Sequence, residues 1–158
     1  MNLPSGPFTS ATAIELGVSK RRLSNAVRDG TVLKLFRNVY IPAHITLSTE
    51  VRARAAALVI NQHAVVCDRT AAWIWGVDAF QYRELDCSPP LETFMLRGHR
   101  ASRRPQIRGG QRDLSDADIS LVSGVRVTTP ARTALDLGCV LNRRDALAAM
   151  DAMARALS

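Results

Sequence analysis

Gly17 and Gly30 enclose a nine-residue segment, "KRRLSNAVR", running from Lys20 to Arg28 directly behind Ser19. This punctuation constrains the chain more than any other feature. A serine ahead of a helical run supplies an N-cap, and a glycine behind it supplies the left-handed backbone on which helices end. The same pattern stands immediately upstream, where Thr9 or Ser10 can cap "ATAIELG" and Gly17 ends it. Two short helices joined by so tight a turn must cross closely. Ala13 is small enough to allow that approach, and Val18 and Leu23 are spaced to plug the angle, with Ile14 and Leu16 beneath. Met1 to Pro7 reads as a poorly ordered lead.

The second helix sorts by angle. At about 100° per residue, Leu23, Ala26 and Val27 form one narrow apolar face. Arg21, Asn25 and Arg28 fall on the opposite side with Ser24 beside them, while Lys20 and Arg22 flank the apolar face. A solvated basic surface helix would have the same composition. As the second helix of a helix-turn-helix, however, it presents side chains suited to a major groove: arginine for guanine and asparagine for adenine. Lys20 and Arg22 suit phosphates, and Ser19 stands with them at the helix start. "TVLKLF" and "VYI" then predict a hairpin with its tip at Arg37–Asn38, stopped by Pro42. Asn38 tolerates the positive φ of such a tip. With Lys34 and Arg37 it forms a basic wing able to lie along the backbone or in a minor groove. Residues 1–46 carry six basic and two acidic side chains, a concentration of the whole chain's net charge of +7.

After a linker at 43–46 the character changes. "STEVRARAAALVINQ" predicts a helix capped by Ser48 or Thr49 with an apolar stripe at Val51, Ala55, Leu58 and Val59. "AVVCD" reads as a strand and "RTAAWIWGV" as a helix closed by Gly76, with Trp73 and Trp75 facing different ways. "LETFMLRG" and "PQIRGGQR" read as strands around an arginine-rich loop, and "ISLVSGVRVTT" as a hairpin turned at Ser123–Gly124. "PARTALDLGCVL" starts a helix with Pro130 at its first position, and "RRDALAAMDAMARAL" is a last amphipathic helix. The expected class is α+β: an N-terminal winged helix-turn-helix over residues 1–46, then a mixed α+β unit over residues 47–158.

Other function classes find little support. The 158 residues, 47% hydrophobic and 22% charged, have the balance of a globular protein, and a pI of about 10.3 favours anionic partners. His44, His63 and His99 stand alone. Asp113, Asp116 and Asp118 are close in sequence, but a capped turn explains them better than a metal site. Gly109–Gly110 is no phosphate loop. No catalytic residue, metal or cofactor is expected. Cys67, Cys87 and Cys139 are scattered, as buried small residues in a reducing cytosol would be. The N-terminus lacks the pattern of a signal peptide, and the apolar run from Ala55 to Ile60 is far too short to span a bilayer, so a cytoplasmic protein without membrane contact is expected. The segment from Arg97 to Arg112 holds six arginines and no acid. It is either an exposed loop or a second phosphate-contacting surface presenting Arg97, Arg100, Arg103 and Arg104, or a dock for an acidic protein. Without interleaved aromatics it is not a single-strand stacking platform.

Three stretches together resemble the AbiEi-type antitoxin family: "GVSKRRLSNAVRDGTVLKLFRNVYIP", "AVVCDRTAAWIWGV" and "GVRVTTPARTALDLG". Asp68, Arg69, Ala71, Ala72, Trp75 and Gly76 are similar to the family's "S-H-x-S-A-A-x-L-W-G" stretch. Val127, Thr128, Pro130, Arg132, Thr133 and Asp136 follow its "V-T-x-P-x-R-T-x-x-D". The resemblance implies a winged helix followed by an antitoxin domain, repression of its own operon, and neutralisation of a nucleotidyltransferase-like toxin. It carries DNA contact onto Lys20, Arg21, Arg22, Asn25, Arg28, Lys34 and Arg37. Arg132 and Asp136, four apart on one helix, are expected to form an ion pair. Asn38 departs from the glycine usual at the wing tip, and many relatives continue further, so a short or truncated form is expected. The implied partners are double-stranded operator DNA, an inverted repeat met by a homodimer or two monomers, and a toxin. The competing reading is a protein-binding module whose basic surfaces dock the toxin rather than DNA.

Overall fold

The structure, a computed structural model, describes residues 3–80, 90–100 and 107–156. Helix α1 (Ser10–Glu15) is capped by Thr9, whose hydroxyl accepts from the Thr12 N–H at 3.2 Å. It closes on Gly17 at φ +80, where the Gly17 N–H donates to Ile14 O and the Val18 N–H to Ala13 O, both at 2.9 Å. This two-bond closure turns the chain sharply enough for helix α2 (Lys20–Arg28) to start three residues later. Ala13, Val18, Leu23 and Ala26 are buried together, as their spacing predicts. Ile14 and Leu16 are not beneath them; they are 49% and 46% exposed. Phe8 fills that space instead. It is delivered by a short strand, β1 (Phe8–Thr9), that the composition of the N-terminal lead conceals.

Strands β2 (Val32–Phe36) and β3 (Val39–Pro42) form the wing hairpin, and β1 pairs with β3 to give an antiparallel sheet in the order β1-β3-β2. A bulge between Lys34 and Phe36 shifts the register from Lys34↔Tyr40 to Phe36↔Val39. Side chains alternate along a strand, so one extra residue moves everything after it to the other face. Val32 and Tyr40 pack with α1 and α2, whereas Phe36 and Val39 join the core of the following unit. There the Phe36 ring stands edge-on to Trp73, centroids 4.9 Å apart. The bulge thus lets one small hairpin serve two cores.

The second sheet has the order β6-β5-β4-β8-β7, from β4 (Ala64–Val66), β5 (Leu91–Met95), β6 (Ile107–Gln111), β7 (Ile119–Val122) and β8 (Val125–Thr128). β4–β8 and β5–β6 are parallel; β4–β5 and β7–β8 are antiparallel. Helix α3 (Thr49–Ala57), capped by Ser48, buries Ala53, Ala55 and Ala56. Of the predicted stripe, Ala55 and Val59 are buried and Val51 is half-buried, but Leu58, at the C-cap, is exposed. Helix α4 (Asp68–Ile74) closes on Gly76, and the Trp75 indole N–H donates to Thr128 O at 2.9 Å. Helix α5 (Pro130–Val140), with Thr129 as cap, packs against α6 (Arg143–Ala156) around Leu137, Ala149 and Met153. Among the described residues no helix is long and apolar enough to cross a membrane.

Candidate nucleic-acid interface

The caps at Ser19 and Gly30 set the length of α2, and its apolar stripe sets its rotation. Leu23 and Ala26 are each 4% exposed. That orientation leaves Lys20, Arg21, Arg22, Ser24, Asn25 and Arg28 all exposed. Ser19 is spent on the cap, its oxygen accepting from the Arg22 N–H at 3.3 Å. On the outward face Arg28 Nη2 donates to Asn25 Oδ1 at 2.9 Å.

The wing closes one side of this face. A cavity of about 510 Å³ lies between α2 and the hairpin, with Lys20, Arg28 and Lys34 around it, Leu23 and Val27 as apolar lining, and Ser10, Ser24 and Tyr40 completing it. Arg37 is exposed at the wing tip beside Asn38, which adopts φ +68. The Asn38 carboxamide oxygen accepts from the Ser10 hydroxyl, so this side chain ties the tip to the start of α1.

The arginine cluster divides. Arg97 and Arg100 are exposed, with Arg97 paired to Asp113 at 2.5 Å, and neither borders the α2–wing cavity. Arg103 and Arg104 lie outside the described residues. Arg112 is turned inward, its guanidinium 3.9 Å from the Phe94 ring centroid and its Nη1 2.9 Å from Asp136 Oδ2. Asp136 also holds Arg132 at 2.9 Å, the predicted ion pair, and Arg132 reaches on to Asp118 at 3.1 Å. The Asp136 carboxylate, foremost, raises the Arg132 pKa; hydrogen bonds from Ser115 lower that of Asp118. The three neighbouring acids have different uses: Asp113 pairs with Arg97, Asp116 starts the short 3₁₀ turn (Asp116–Asp118) that leads into β7, and Asp118 closes a capping box with Ser115.

A buried ion pair joins α4 to β5, between residues remote in sequence. Glu92 on β5 is 5% exposed and Arg69 on α4 is 9% exposed. Glu92 Oε1 accepts from Arg69 Nη2 at 2.6 Å and Nε at 3.0 Å, while its Oε2 accepts from the Arg69 backbone N–H at 2.8 Å. Cys67, at the N-cap of α4, makes no side-chain cap bond. Glu92 thus supplies a capping bond from another strand. The signal available in the sequence is charge set inside two apolar runs: Asp68 and Arg69 in "AVVCDRTAAW" and Glu92 in "LETFML". Neighbouring Asp68 is pushed up by burial, which outweighs the opposing field of Arg112. Burial likewise raises the Cys67 thiol, while Cys139 is exposed and Cys87 lies outside the described residues.

These two units match two known families. Residues 5–43 match the family described as "Transcriptional regulator, AbiEi antitoxin", and residues 64–158 match "AbiEi antitoxin C-terminal domain". No curated protein matches the chain significantly. The first match covers both helices and the wing, the second spans more than half of the sequence, and the chain belongs to the AbiEi antitoxin family.

Proposed function

We propose that the protein is a sequence-specific DNA-binding repressor of its own operon that also counteracts a nucleotidyltransferase-like toxin. The carrying observation is the exposed face of α2, with Arg21, Ser24, Asn25 and Arg28 outward, set beside a cavity ringed by Lys20, Arg28 and Lys34. α2 enters a major groove with this face toward the bases. Lys20, Arg22, Lys34 and Arg37 neutralise phosphates, and the cavity receives the strand that passes between helix and wing. An operator with inverted repeats would be met by two copies. The exposed Arg97 and Arg100 are assigned to flanking phosphates; Arg103 and Arg104, which share that assignment, lie outside the described residues.

The test is binding to DNA from upstream of its own coding region at several salt concentrations. Each phosphate contact contributes about −0.9 to the slope of log K against log salt. Replacing Lys34 and Arg37 together by alanine is expected to reduce the slope by about two and to weaken operator and unrelated DNA alike. An unchanged slope overturns the wing assignment. The full chain is required, because removing the second unit would expose Phe36 and Val39, which pack with Ala53, Val66 and Ile74. Toxin neutralisation is read separately, by co-expression with the product of the adjacent gene.

A further inference from the structure

Resting on the DNA-binding reading above, we infer that the Asn25–Arg28 pair on the outward face of α2 presents hydrogen-bond donors to the bases, so that it selects guanine and rejects adenine. Asparagine alone is an adenine reader: its N–H donates to adenine N7 while its oxygen accepts from the N6 amino group. Here that oxygen is engaged. Arg28 Nη2 lies 2.9 Å from Asn25 Oδ1. A guanidinium has donors and no acceptor, so the chemistry fixes which end of the carboxamide faces it. With Oδ1 turned to Arg28, the NH₂ group is the end of Asn25 left for a base, and an adenine amino group, itself a donor, would meet the Arg28 cation beside the pair's one acceptor.

Elsewhere the face carries no obligate acceptor. Arg21 is exposed and can only donate. The Ser24 hydroxyl turns to either role, and no residue of α2 carries a carboxylate able to accept from a cytosine amino group. The nearest in sequence, Asp29, lies past the end of the helix, where its Oδ1 accepts from Thr31 Oγ1 at 2.7 Å and from the Thr31 N–H at 3.0 Å. Guanine, with O6 and N7 both acceptors in the major groove, is the base that complements such a surface.

The experiment is selection of bound sequences from a random double-stranded DNA library by the full-length protein, compared with Arg28→Ala and Asn25→Ala, each checked for fold by circular dichroism. The wild-type protein is expected to enrich guanines in each half-site, and changing one of them to adenine should weaken binding on the order of tenfold. Arg28→Ala releases Asn25 Oδ1, so the position beneath Asn25 should move from guanine toward adenine. An adenine in the wild-type site that is lost with Asn25→Ala and retained with Arg28→Ala overturns the inference and leaves DNA binding standing. No enrichment of any sequence by the wild-type protein overturns the DNA-binding reading itself.

Discussion

Glu92→Ala is expected to lower stability by about 3–5 kcal/mol, the range for breaking a buried ion pair from one side. Glu92 receives three hydrogen bonds from Arg69, one of them from the backbone at the start of α4. Without the carboxylate, the guanidinium of Arg69, a residue 9% exposed, keeps its charge in a poorly solvated site and α4 loses its capping bond from β5. Glu92→Gln, which keeps the side chain's size and an oxygen acceptor, should cost less. Replacing both partners with apolar residues of similar volume, Arg69→Met with Glu92→Leu, should recover most of the loss, since no charge is then stranded. Urea unfolding at constant m reads all three. A loss below about 1 kcal/mol for Glu92→Ala would show that the pair behaves as an exposed one.

Gly109→Ala is expected to cost more than about 3 kcal/mol, beyond the usual range for overpacking. A Cβ at Gly109 would stand 1.6 Å from Thr93 O and 2.8 Å from Thr93 C, both backbone atoms of the paired strand. No rotamer relieves that contact; β6 must move off β5, and Arg112, just beyond β6, loses its seat on Phe94. Gly110→Ala is the internal control. A Cβ there meets nothing within 4 Å, so the change should fall within about 1 kcal/mol of neutral. Equal effects at the two glycines, again by urea unfolding, would contradict the β5–β6 register.

What could be read from the residues follows from where the determinants sit. α1, α2 and the wing hairpin are specified by local signals: Thr9 and Ser19 as caps, glycines at φ +80 and +77 as stops, and Asn38 at φ +68 in the tip. The rotation of α2 was legible because three apolar residues in nine leave one choice of inward face. β1 was not legible, because two residues carry no period and Phe8 is a strand residue only through Tyr40. Ile14 and Leu16 stay exposed because Phe8, brought in by β1, joins the core of α1 and α2 in their place. The Lys34–Phe36 bulge, the Arg69–Glu92 pair and the inward turn of Arg112 depend on partners remote in sequence. The Asn25–Arg28 hydrogen bond joins residues three apart on one helix and is legible in the spacing, but matching each side chain singly to a base conceals it.

The most direct test of the central claim, that the exposed face of α2 reads operator DNA, is the affinity of Arg21→Ala/Arg28→Ala for DNA upstream of the protein's own coding region. Both side chains are exposed, so thermal unfolding should be unchanged within about 0.5 kcal/mol. Two lost base-reading arginines should reduce operator affinity roughly a hundredfold and erase the preference over unrelated DNA, at about 1–3 kcal/mol for each good bidentate contact. Wild-type operator affinity and preference in the correctly folded double variant would contradict the account.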